Sequence, residues 1–120
     1  MVEDVLYFGD LSGTLYAVNA SDGTLRWKIQ PETVTKRGIA GTPLVLEDTI
    51  YFVSESGNLF AVALDGGTPR WNKTFKGKLY SGPFAAGDTI LIAPVGSEEL
   101  LIALDTNGNQ KWVFVPPKKK

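Results

Sequence analysis

A chain of 120 residues has the length of one ordinary domain, and 12 basic against 13 acidic residues leave it a formal net charge of −1. That balance excludes the basic footprint of a nucleic-acid or anionic-membrane binder. With neither Cys nor His, the chain has no disulfide, no Cys or His zinc site, no thiol nucleophile and no imidazole base.

The opening residues, MVEDVLYFGD, place Glu3 and Asp4 where a secretory signal would carry positive charge before an apolar stretch, so no export signal is expected. The first apolar run, Val5-Leu6-Tyr7-Phe8, reads as a strand. Ser12-Gly13 turns the chain into a second, Leu15-Tyr16-Ala17-Val18, and Gly23, four residues before Trp27, turns it into a third. After residues 31–38 comes Gly41-Thr42-Pro43-Leu44-Val45-Leu46, an apolar strand with proline expected at its first strand position.

From Glu47-Asp48 the pattern returns: Thr49-Ile50-Tyr51-Phe52, Ser56-Gly57, Leu59-Phe60-Ala61-Val62, Gly67, Trp71. It returns again through Ser81-Gly82-Pro83-Phe84-Ala85-Ala86, Gly87-Asp88, Thr89-Ile90-Leu91-Ile92, Leu100-Leu101-Ile102-Ala103-Leu104, Gly108 and Trp112. The tryptophans stand 44 and 41 positions apart, so the unit is four short strands in about 40 residues, the length of a propeller blade. No segment offers a useful helical period, and no apolar run approaches the roughly 18 residues of a membrane span.

Aligning Asp4 with Asp48 sets Met1 opposite Val45, so the first unit lacks the Gly-Thr-Pro-Leu of a first strand. The expected fold is all-β: a partial β-propeller of about three four-stranded antiparallel blades, the first incomplete. Its blades run over about residues 1–38, 39–79 and 80–116, followed by a disordered basic tail at 117–120.

One motif carries the repeat, Ala-x-Asp-x-x-x-Gly-x-x-x-Trp. It reads Ala17-Val-Asn-Ala-Ser-Asp-Gly23-Thr-Leu-Arg-Trp27, then Ala61-Val-Ala-Leu-Asp-Gly-Gly67-Thr-Pro-Arg-Trp71, then Ala103-Leu-Asp-Thr-Asn-Gly108-Asn-Gln-Lys-Trp112. Asn19 and Ala63 depart from its Asp, and the third copy is one residue short. Over nearly its whole length the chain resembles the PQQ-like, or quinoprotein-type, β-propeller repeats. The resemblance implies that Trp27, Trp71 and Trp112 each pack between their own blade and a neighbour, with Ala17, Ala61 and Ala103 leaving room for the ring.

That family includes quinoprotein dehydrogenases, which bind pyrroloquinoline quinone and a metal ion above the channel. It also includes envelope assembly lipoproteins and extracytoplasmic sensor domains. A quinoprotein site draws a base, metal ligands and cations from several blades around a closed ring, which three blades do not supply. Lys36 and Arg37 read as solvated loop charges. Asp22, Asp65 and Asp105 read as turn residues rather than cation ligands. Glu98-Glu99, if in a strand, would point to opposite faces. The acceptor patterns Asn19-Ala20-Ser21 and Asn72-Lys73-Thr74 read as accidental, and Tyr80 as either core or recognition surface.

The reading is therefore a non-catalytic scaffold or protein-interaction module, with no catalytic, cofactor-binding or metal residue in this chain. Its partners are other propeller blades, a second copy that completes a ring, or another protein, and not nucleic acid. The alternative is a fragment of a PQQ-dependent dehydrogenase whose catalytic residues lie elsewhere, with PQQ and calcium as cofactors. The resemblance implies a place outside the cytoplasm or in the cell envelope, with which the lack of Cys is compatible.

Overall fold

The β-branched and aromatic runs fold as strands in the computed structural model, which describes residues 4–30 and 38–116. Among the described residues no helix forms, so none is long and apolar enough to cross a membrane. Three antiparallel sheets follow one another along the chain. The first has three strands, β1 (Val5–Gly9), β2 (Leu15–Asn19) and β3 (Leu25–Ile29). The second has four, β4 (Ile39–Leu46), β5 (Thr49–Ser54), β6 (Asn58–Ala63) and β7 (Pro69–Thr74). The third again has four, β8 (Phe84–Ala86), β9 (Thr89–Ile92), β10 (Leu101–Leu104) and β11 (Gln110–Phe114). Every strand pairs with its sequence neighbour, as a meander joined by short turns requires. This is a partial β-propeller whose first blade is incomplete.

The core lies in two apolar layers between the sheets. One layer joins the first two blades through Leu15, Ile50, Phe52, Phe60 and Val62, with Tyr7, Trp27 and Ile29 packed on them. The other joins the second and third through Tyr51, Val53, Leu59, Ala61, Ile90, Ile92, Ile102 and Leu104. Strand β5 is buried at all six positions because alternate residues enter the two layers.

The last pairing of each blade carries the same irregularity. Between Ala17 and Val18, Ala61 and Val62, and Ala103 and Leu104 the register slips, and the extra residue opposite is Arg26, Arg70 or Lys111. Such a bulge re-aims the side chain that it inserts. Arg70 reaches Asp48 at 3.4 Å, Lys111 donates to the Thr89 hydroxyl at 2.8 Å, and Arg26 donates to Asn19 Oδ1 at 3.1 Å.

Two local readings change. Pro43 stands inside the eight-residue β4 rather than at its start, and it is tolerated there because the register shift between Ala40 and Leu44 releases it from the ladder. Glu98 ends a bend and Glu99 follows it, both before β10 rather than in a strand, and the Ser97 hydroxyl accepts the Glu99 N–H at 3.1 Å. Residues 31–37, with Lys36 and Arg37, and the basic tail lie outside the described residues.

Candidate functional site

Strand register lines up one apolar row across each blade. In the first it runs Tyr7, Ala17, Trp27; in the second Leu44, Tyr51, Ala61, Trp71; in the third Phe84, Leu91, Ala103, Trp112. On the opposite face of each sheet stand two cross-strand pairs. These are Leu6 with Val18 and Phe8 with Tyr16, then Ile50 with Val62 and Phe52 with Phe60, then Ile90 with Leu104 and Ile92 with Ile102. A row of one blade faces the pairs of the next, which is how the two apolar layers arise.

The tryptophan sits at the outer end of that row. Ala17, Ala61 and Ala103 are wholly buried beside their tryptophans, small enough to leave the ring its place. Across the layer the ring lies on a glycine of the following blade. A Cβ at Gly67 would stand 2.8 Å from Cε3 and Cζ3 of Trp27, and one at Gly108 would stand 3.0 Å from the same atoms of Trp71. Both glycines also have positive φ, +74° and +88°, so the position demands glycine for its backbone and for its bareness. Trp71 Nε1 donates to the Thr106 carbonyl at 3.1 Å, and the Tyr51 hydroxyl donates to that same oxygen at 3.2 Å. Tyr7 and Tyr51 flank their tryptophans at ring-centroid distances of 6.0 and 5.9 Å.

The structure thus brings Trp27 to Gly67 and Trp71 to Gly108, and leaves Gly23 and Trp112 at opposite ends of the chain of blades. Nothing lies within 4 Å of a Cβ placed on Gly23, and Trp112 is 46% exposed. In the sequence these glycines read as members of the docking motif that turn the chain. Their second role, as the seat of a neighbour's ring, was signalled by nothing more than their constant offset from the tryptophans.

The acidic residues serve their own turns. Asp22 accepts the N–H and hydroxyl of Thr24 at 3.1 and 2.7 Å, and Asp105 accepts the N–H groups of Asn107 and Asn109 at 2.9 Å. Those hydrogen bonds hold both carboxyls below the usual range. Asp10 is held most firmly. Its Oδ1 accepts the N–H groups of Ser12 and Thr14, both at 3.0 Å, and the Ser12 hydroxyl at 2.7 Å, while its Oδ2 accepts the Tyr16 hydroxyl at 2.8 Å. The Thr14 N–H and then the Ser12 hydroxyl pull its pKa from 3.8 to about 2.

A carboxyl whose pKa is depressed on folding stabilises the fold above its unfolded value, and that contribution is lost as pH falls through the folded one. Asp10→Asn should therefore melt below the native chain at neutral pH, with the gap unchanged down to about pH 4 and closing toward pH 2. Thermal melts of both proteins across that range test this, and a gap that stays constant to pH 2 would assign no such role to the Asp10 charge.

A surface groove of about 580 Å³ sets Lys73 and Lys76 against Glu98 and Glu99 between the second and third blades. Tyr80 is 53% exposed. Among the described residues no three of the acidic side chains converge on a point where a metal ion could be held.

A comparison with curated proteins finds no match by sequence. A family profile described as outer membrane protein assembly factor BamB matches residues 11–119. Among solved structures, BamB from Moraxella catarrhalis superposes with a TM-score of 0.74 at 16% identity, over 95% of this chain and 35% of that one. A europium-containing methanol dehydrogenase gives 0.81 at 16% identity, over 96% and 23%. The quinohemoprotein alcohol dehydrogenase of Comamonas testosteroni gives 0.80 at 18% identity, over 96% and 20%. These likenesses concern the fold, and the chain spans about a third or less of each of those proteins. With three copies of the Ala-to-Trp motif and a profile match over most of its length, the chain belongs to the PQQ-like β-propeller repeat family that includes BamB.

Proposed function

We propose that this chain is a non-catalytic propeller scaffold, a set of blades whose work is to dock against other blades or against a protein partner. One observation carries the reading: the well-built polar and aromatic geometry holds blades together or closes turns. The tryptophan rings lie on neighbouring glycines, and the carboxyls most displaced in pKa, Asp10 among them, are engaged by their own turns. Active sites instead perturb groups that face a cleft. The repeated Trp, Ala and Gly positions are in this reading a docking motif. The family description, an outer membrane assembly factor, supports a place in the cell envelope and partners that are proteins.

The likeness of fold to the two dehydrogenases leaves a second reading, a fragment of a PQQ-dependent dehydrogenase whose catalytic residues lie outside this chain. A dye-linked oxidation assay with alcohols and aldoses, PQQ and calcium added, separates the two when it is run on the product of the whole gene, because the second reading puts the catalytic residues outside this chain. The scaffold reading expects a rate equal to the protein-free blank. Oxidation at the rate of a working quinoprotein would replace it with the dehydrogenase reading.

A further inference from the structure

The two blade-to-blade layers inside the chain share one pattern, and each end of the chain carries half of it. On the third blade the row Phe84, Leu91, Ala103, Trp112 corresponds position for position to Leu44, Tyr51, Ala61, Trp71, which is packed against the third blade. The third blade's row has no blade facing it among the described residues: Phe84 is 48% exposed, Trp112 46%, and Phe114, beside Trp112 on the same face of β11, 50%. Val113, on the other face of β11, packs into the inner layer.

On the first blade, Leu6 with Val18 and Phe8 with Tyr16 correspond to Ile50 with Val62 and Phe52 with Phe60, which are packed against the first blade. The Phe8 and Tyr16 rings stack at 5.3 Å and 21°, as Phe52 and Phe60 do at 5.3 Å and 27°. Leu6 and Phe8 nevertheless remain exposed. Gly23 has the same positive φ, +74°, as the glycine that seats Trp27, with open space above it.

From this continuity with an interface that the chain already makes twice, we propose that the outer face of the third blade docks on the outer face of the first blade of a second copy, Trp112 seated on Gly23. The proposal deepens the scaffold reading, on which it rests, by naming the partner and both surfaces. Exposed apolar faces of this kind mark sites of association. Because the two faces differ, the contact is heterologous, and it produces a ring or an open chain of copies rather than a face-to-face pair.

The heterologous character gives the test its form. The mass of the full chain is measured by light scattering over a concentration series, for the native protein, Trp112→Ala, Gly23→Asn and an equimolar mixture of the two variants. Asparagine tolerates positive φ and, with nothing within 4 Å, leaves the fold intact while filling the seat. Circular dichroism checks the fold of each variant. The expected result is that the native mass rises with concentration above the 13.0 kDa of one chain. Each variant alone should associate at least about 30-fold more weakly, as truncation of a seated aromatic anchor does. The mixture should recover 1:1 pairing, since each variant keeps the face that the other has lost.

A native chain that stays monomeric at every concentration would overturn the proposal. Association of Gly23→Asn at native strength would overturn it as well. Neither result bears on turnover, which the dye-linked assay reads separately, so failure of the docking and failure of the scaffold reading are distinguished.

Discussion

Trp71→Ala is expected to cost about 3 kcal/mol of folding stability, whereas Trp112→Ala, the same motif position one repeat later, should cost under about 1 kcal/mol. The ring of Trp71 lies on Gly108, contacts Tyr51 and donates to the Thr106 carbonyl. Its removal opens a cavity in the layer between the second and third blades, and the transfer and cavity contributions add. The lost hydrogen bond contributes little by comparison, about 1 kcal/mol, because the Tyr51 hydroxyl still serves that oxygen. Trp112 has its own wholly buried Ala103 beside it but no blade beyond it among the described residues, so truncation there removes surface that water already reaches. Urea unfolding of the two variants at low protein concentration measures the difference. Equal losses would show that the ring stabilises its own blade rather than the joint between blades.

The second large effect concerns the backbone approach between β4 and the segment before β8. Gly41 in β4 has φ of +68°, and a Cβ there would fall on the Gly82 nitrogen and 2.8 Å from its Cα. The approach is mutual, since a Cβ on Gly82 would meet the Thr42 carbonyl oxygen. Backbone cannot swing aside as a flexible side chain can, so the second and third blades would have to separate locally. Gly82 lacks a positive φ, and Gly82→Ala therefore reports the steric cost alone, about 2–3 kcal/mol. Gly41→Ala adds about 1–2 kcal/mol for the left-handed backbone. Gly66→Ala serves as the control: φ is +86° there with nothing within 4 Å, so only the backbone strain remains, about 1–2 kcal/mol. Thermal unfolding of the three variants should rank Gly41 first, then Gly82, then Gly66. If Gly41→Ala melted with Gly66→Ala, the close approach of the two blades would play no part in stability.

Much of this architecture is written in short-range chemistry. Alternating apolar runs and an acidic or glycine turn before each second strand mark the strands, because a strand's two faces and a hairpin's turn are decided by residues a few positions apart. The three tryptophans at a fixed step then reveal the blade as a unit. The missing first strand of the first blade was legible in the same way, from register alone, and the first sheet holds three strands among the described residues. The turn roles of Asp22 and Asp105 were equally local, since each carboxylate meets backbone N–H groups two to four residues on.

What the chain's own order left open depends on surfaces that meet across more than thirty residues. That Gly67 is the floor beneath Trp27, and that the Thr106 carbonyl receives both Trp71 and Tyr51, follows only once two sheets are stacked. So does the contact of Gly41 with Gly82, because a glycine's bareness has no meaning until a second backbone occupies the space. The sequence determined the strands, the blades and their number, through periodicity and turn chemistry. The tertiary structure decided which face of each blade is covered, and so which rings meet which glycines: Trp27 lies on Gly67 and Trp71 on Gly108, while Gly23 and Trp112 stand at the two ends.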